Sequence, residues 1–135
     1  MFKTPLNLEV IGVQRFKVTK PLVWEDFRQI ITVKEEFDFD GASIPKYFWP
    51  VIGSPMTGGF QRAACLHDAL YASQIFDRKK SDKLFKAAMK MDNVPFITTT
   101  ALYYGVRLFG FIIWKDITPE ELTHYKLLVD IKVKD

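Results

Sequence analysis

Apolar and polar positions alternate along the first forty residues. Phe16 and Val18 are interleaved with Lys17 and Thr19, and Phe37 and Phe39 with Asp38 and Asp40, while Phe27 to Val33 is rich in β-branched residues. A period of two sends successive side chains to opposite faces of a strand. Lys20-Pro21 and Lys34-Glu35-Glu36 break the runs. The pattern predicts a small N-terminal antiparallel sheet over 1–39. Between Asp40 and Gly59 the period is lost among Pro45, Pro50, Pro55, Gly53, Gly58 and Gly59, residues that punctuate rather than build regular elements. Tyr47, Phe48, Trp49, Val51 and Ile52 make this loop apolar. It is expected to fold back on the core or to wall a pocket.

Helical spacing follows. The first helix is predicted over Phe60–Gln74 and the second over Arg78–Met91, with Asp77 as N-cap. The third runs from Pro95, a favoured first-turn residue, to Lys115. Its stripe Ile97, Ala101, Tyr104, Gly105, Leu108 and Ile112 is the face expected to pack. A short helix opening at Thr118-Pro119-Glu120-Glu121 and a strand over 127–133 complete the chain. The prediction is an α+β fold in a single domain, 1–135. It divides into a β region (1–39), a Pro/Gly-rich loop (40–59), three helices (60–115) and a helix/strand tail (116–135). The sheet packs on an antiparallel helix pair, joined by a third, aromatic-rich helix.

Residues 96–114 are 19 in number and carry one charge, Arg107. That approaches the length of a membrane span. An arginine near the middle is expensive in lipid, and Thr98, Thr99 and Thr100 add polarity, so a core helix is the expectation. Lys and Arg number 19 against 16 Asp and Glu, for a net charge of +3. Both signs are interspersed, which argues against a nucleic-acid partner. With 12 Phe and 5 Tyr, either a well-packed core or an apolar binding surface is implied. The single cysteine, Cys65, excludes an internal disulfide and a cysteine-based zinc site. The N-terminus lacks the apolar stretch of a signal peptide.

The candidate chemistry centres on His67-Asp68, within Ala64-Cys65-Leu66-His67-Asp68-Ala69-Leu70-Tyr71. Residues four apart share a helix face, so His67 and Tyr71 are neighbours, while Asp68 is rotated by about 100° and projects beside them. Asp82 precedes Phe85 by three and Met89 by seven, which places it on the inward face of the second helix. An antiparallel pairing lets Asp82 approach His67 and Tyr71. A carboxylate there would fix the histidine tautomer and stabilise the imidazolium of a general base. Asp68, with Asp40 and carbonyls of the following loop, could hold a hard cation such as calcium, which would polarise a carbonyl. The plainer reading is a satisfied polar cluster in the core. Arg78 would then form a helix-surface ion pair with Asp82, and Arg62, Lys79, Lys80 and Lys83 would be solvated. His124 is read as a surface residue.

The order Asp40-Gly41-Ala42-Ser43-Ile44-Pro45, then Ala63 to Tyr71, then Arg78 to Asp82 and Phe85 resembles a family of unknown function common in tailed bacteriophages and prophages, over about residues 30–114. It is also similar, mainly over 40–89, to the bacterial secreted branch of the phospholipase A2 superfamily. That branch has an Asp-Gly-x-Ser calcium loop, a Cys-x-x-His-Asp-x-x-Tyr helix and an Asp-x-x-Phe helix. The resemblance implies a phospholipase A2-like helical core in which His67 is the base, Asp82 its orienting aspartate and Tyr71 the tyrosine bonded to that aspartate. Asp68, Asp40 and Gly41 would bind calcium. Two departures stand: Cys65 has no bridging partner, and the loop after Pro45 is longer and bulkier than in that branch.

The expected function is a phage-type hydrolase of a lipid or similar acyl ester. The loop at Tyr47–Ile52 and the third helix would meet the lipid, and the protein would act in the virion or the host cytoplasm. The alternative is a non-enzymatic virion component or host-interacting module. A His-Asp phosphohydrolase would need more histidines than His124 supplies. A zinc-protease helix would need a second histidine where Tyr71 stands, and neither a phosphate-cradling glycine loop nor a Gly-x-Ser-x-Gly turn occurs.

Overall fold

The computed structural model describes residues 1–13, 15–40 and 59–135, apart from the side chain of residue 40. The elements run β1 (Leu8–Gly12), β2 (Arg15–Val18), β3 (Leu22–Glu25), β4 (Gln29–Val33), β5 (Asp38–Asp40), α1 (Gln61–Ser73), α2 (Arg78–Met91), α3 (Phe96–Asp116), α4 (Pro119–Lys126) and β6 (Val129–Val133). The fold is α+β, as the alternation of periods implies.

The strands form two three-stranded antiparallel sheets rather than one, in the orders β1-β2-β5 and β3-β4-β6. The last strand, β6, is an edge of the second sheet. It pairs with β4 from Gln29↔Val133 to Val33↔Val129, so β4 is the centre of its own sheet. In the other sheet Phe16 sits opposite Phe39, and Lys17 opposite Asp38. Phe27 lies outside β4 and is 82% exposed. Asp26 Oδ1 accepts from the backbone N–H of Arg28 (2.8 Å) and Gln29 (3.0 Å), which bends the chain into a side-chain-built turn just before the strand.

Leu22, Trp24, Ile31, Val33 and Phe37 of the β region share one buried cluster with Leu66, Leu70, Phe85 and Met89 of the helices. The helix ends follow the local chemistry. Asp77 caps α2 by accepting from Lys80 N (2.7 Å), and Thr118 caps α4 by accepting from Glu121 N.

The third helix departs from expectation in one respect. It is long and apolar enough to cross a membrane by length and composition, but little of it is buried. Ile97, Tyr104, Leu108 and Ile112 of the predicted packing stripe face outward, with Leu108 64% exposed. The inner face carries Thr99, Leu102 and Gly110 instead. Arg62 also differs from its expected solvated state. Its guanidinium bonds both oxygens of Asp92 and the Thr4 carbonyl, and lies over the Phe2 ring, tying the N-terminus to the end of α2.

Candidate active site

Helices α1 and α2 form an antiparallel hairpin, which sets His67 and Tyr71 of α1 against Asp82 of α2. His67 Nε2 lies 2.8 Å from Asp82 Oδ1, and the Tyr71 hydroxyl donates to the same oxygen at 2.7 Å. The ring centroids of His67 and Tyr71 are 4.2 Å apart, and that of Phe85 is 4.5 Å from His67. Asp82 is fully buried and His67 6% exposed.

The sequence reading missed the other half of the carboxylate's environment. Arg107 of α3 donates from Nη1 to Asp82 Oδ2 at 2.6 Å. Arg78 lies 3.5 Å from the same oxygen and also donates to the backbone carbonyls of Val106 (2.9 Å) and Arg107 (3.3 Å). The Arg78–Asp82 pair is therefore no surface contact. It is part of a lock holding α3 to the hairpin. A single charge inside an otherwise apolar helix was the available signal for Arg107, since a charge there needs a partner.

The electrostatics follow from burial and these bonds. Burial drives the His67 pKa down and outweighs the opposing pull of Asp82, so the imidazole is neutral near pH 7. Burial by itself would raise the Asp82 carboxyl. The bonds from His67, Tyr71 and Arg107 reverse that and hold it below its usual range. The Tyr71 phenol is pushed up, by burial first and by Asp82 next, and stays protonated. An ionised carboxylate only accepts hydrogen bonds. Neutral His67 must therefore carry its proton on Nε2, leaving the Nδ1 lone pair as the basic site.

His67 lines a narrow cavity of about 50 Å³. Asp68 and Tyr71 of α1, Phe85 of α2, and Val106 and Gly110 of α3 also bound it. The volume admits water but no acyl chain. Asp68, Tyr71 and Ile113 also border a wider cleft of about 230 Å³ toward β2, β5 and α4. There Arg15 pairs with Asp38, and the Tyr125 hydroxyl donates to Asp38 at 3.1 Å. Burial, and next the Asp38 charge, push the Tyr125 phenol up to about 12.

Of the predicted calcium set, Asp68 is the member whose side chain is described. It is half-buried on the wall of both cavities. The Asp40 side chain and Gly41 lie outside the described residues, as does the loop at Tyr47–Ile52. Among the described residues no group of three or more His, Cys, Asp or Glu is arranged to hold a metal ion. Cys65 is fully buried, and burial, then the Asp68 charge, raises its thiol pKa well above the usual value. That leaves it without thiolate character.

A family model described as "Protein of unknown function (DUF1353)" matches residues 16–106. The chain is 32% identical over 71 residues to Uncharacterized protein y4jT of Sinorhizobium fredii (strain NBRC 101917 / NGR234), across 53% of this chain and 21% of that protein. It is 33% identical over 76 residues to Uncharacterized protein y4iH of the same strain, across 56% and 32% respectively. The chain thus spans about a fifth to a third of the length of these relatives. No solved structure matches.

Proposed function

The chain belongs to the DUF1353 family of proteins of unknown function, and from its buried polar cluster we propose that it is a hydrolase of acyl esters in which His67 activates water. The observation that carries this reading is that His67, bonded through Nε2 to an ionised, buried Asp82, lines a water-sized cavity. Asp82 holds the tautomer and would stabilise the imidazolium formed when Nδ1 takes a proton from water. Tyr71 and Arg107 fix the carboxylate in place. The adjoining cleft would seat the acyl group beside Asp68. The motif resemblance supports a phospholipid or similar substrate and a phage or prophage setting, in the virion or the host cytoplasm. Calcium, held by Asp68 with Asp40 and Gly41, would polarise the ester carbonyl.

One observation favours a second reading. The two arginines on Asp82 make the cluster a helix lock, which would serve equally in a non-enzymatic virion component or host-binding module. A phospholipid hydrolysis assay, with and without calcium, separates the two. His67→Ala should lower the rate by about a hundredfold or more, with circular dichroism unchanged. Asp68→Ala should abolish any calcium dependence. Turnover indifferent to both substitutions, or absent on every lipid tried, would leave the structural reading standing.

A further inference from the structure

We propose that the outer face of α3 and the adjoining lysine row of α2 together form a docking surface for an anionic lipid bilayer, on which the protein lies without spanning it. The inference specifies the charge of the surface on which the proposed hydrolase would work, while the binding itself needs no catalysis. Ile97, Tyr104, Leu108, Phe111 and Ile112 are all exposed along one side of α3. The helix has 21 residues and so runs about 31 Å. An apolar strip of that length is more than a monomer ordinarily leaves in water.

The neighbouring charges identify what covers it. On α2 the buried positions are Ser81, Asp82, Leu84, Phe85, Ala88 and Met89. The solvent face therefore carries Lys79, Lys83, Lys86 and Lys90 and no carboxylate. None of the four takes part in an ion pair among the described residues. Lys86 reaches over the Tyr103 ring of α3 at 4.7 Å, and Tyr103 packs edge-on against Tyr104. The cationic row thus passes directly into the apolar strip. Aromatic and aliphatic groups bordered by lysines match the interfacial layer of an anionic membrane. A second copy docked face to face would bring two such rows together, and apart from the buried Asp82 the two helices hold only Asp116, at the far end of α3, to answer them. Spanning is opposed by the lock on the inner side. Arg107 is bound to Asp82, and Gly110 lies against Tyr71, so α3 cannot leave the hairpin intact.

Flotation with vesicles tests the proposal. The chain should bind vesicles of phosphatidylcholine mixed with phosphatidylglycerol, be released by salt, and ignore phosphatidylcholine alone. Leu108→Asp with Ile112→Asp should abolish binding. Lys83→Gln and Lys86→Gln should each weaken it on the order of fivefold. Circular dichroism would establish that these surface variants stay folded. His67→Gln should bind as the wild type does, so a failure of hydrolysis and a failure of docking read separately. Equal binding to both vesicle types, or binding to neither, overturns the proposal. So does self-association in sedimentation velocity that Leu108→Asp removes, which would assign the face to a second copy.

Discussion

Replacing Gly110 by alanine tests whether α3 is seated on the site as described. A Cβ at this position would stand 2.4 Å from the Tyr71 hydroxyl oxygen, 3.3 Å from Tyr71 Cε2 and 3.2 Å from Arg78 Nη1. In an open helix the change would stabilise by about 1 kcal/mol through helix propensity. Here the ring is buried and its hydroxyl is bonded to Asp82, so moving aside toward the cavities it borders means giving up that bond. Overpacking costs about 1–3 kcal/mol, and pulling Tyr71 from a charged acceptor costs about 1.5–3 kcal/mol more. The net expectation for Gly110→Ala, after the helix-propensity gain, is a loss of about 1.5–5 kcal/mol. In a Tyr71→Phe background the closest atom is gone and the bond to Asp82 already lost. The same substitution should then be nearly neutral or stabilise by up to about 1 kcal/mol. Urea unfolding of the four proteins, at constant m-value, gives the coupling directly. If Gly110→Ala costs the same in both backgrounds, or costs nothing in the wild type, α3 does not approach Tyr71 this closely.

Three further predictions concern the same lock and the N-terminus. Because burial depresses the His67 pKa below 6.5, the unfolded chain binds a proton that the native state refuses. Stability is then fully present above about pH 6.5 and falls as pH drops through the lowered native pKa; denaturation midpoints across pH 5–7 should show that slope in the wild type and lack it in His67→Asn. Asp82→Asn should cost about 3 kcal/mol, since it removes a fully buried carboxylate and leaves the half-buried Arg107 without its counter-charge. Adding Arg107→Met should restore part of the loss in chemical denaturation, and strictly additive effects would count against the pair. Arg62→Ala should cost about 1–2 kcal/mol through its bidentate bond to Asp92. It should also speed hydrogen exchange at the Lys3 amide, which bonds the Val23 carbonyl at 2.8 Å; unchanged exchange there would dissociate Arg62 from the N-terminal segment.

What could be read from the sequence was what short-range chemistry determines. Asp77 caps the helix it was expected to cap, and the short helix expected to open at Thr118 does so with the Thr118 side chain as its cap, because a side-chain oxygen before a helix has few other uses. Asp82 turns inward as its spacing to Phe85 and Met89 requires, and the short 74–77 connection brings it to His67. The division into two sheets was hidden because it depends on two pairings distant in sequence, β5 with β2 and β6 with β4. Phe27 misled because it belongs by composition to the strand that Asp26 starts two residues later. Asp68 is placed on the wall of both cavities, while the loop after β5 that was expected to face it lies outside the described residues.

The face of α3 shows why hydrophobic periodicity alone could not place that helix. A helix apolar around most of its circumference has no single stripe to choose, and the better stripe by spacing, from Ile97 to Ile112, is the one left outside. Polar and steric contacts made the choice. Arg107 could pair with Asp82, Arg78 could reach the Val106 carbonyl, and only a glycine at 110 could face the Tyr71 hydroxyl. Burying a leucine or isoleucine side chain stabilises by about 1.5–3 kcal/mol, so leaving Ile97, Leu108 and Ile112 largely in water forgoes roughly twice that. The lock on Asp82 must outweigh that loss for the isolated chain. A surface that covers the strip would recover it, which is the physical reason to expect α3 to be met by something apolar while its inner side stays fastened to His67, Tyr71 and Asp82.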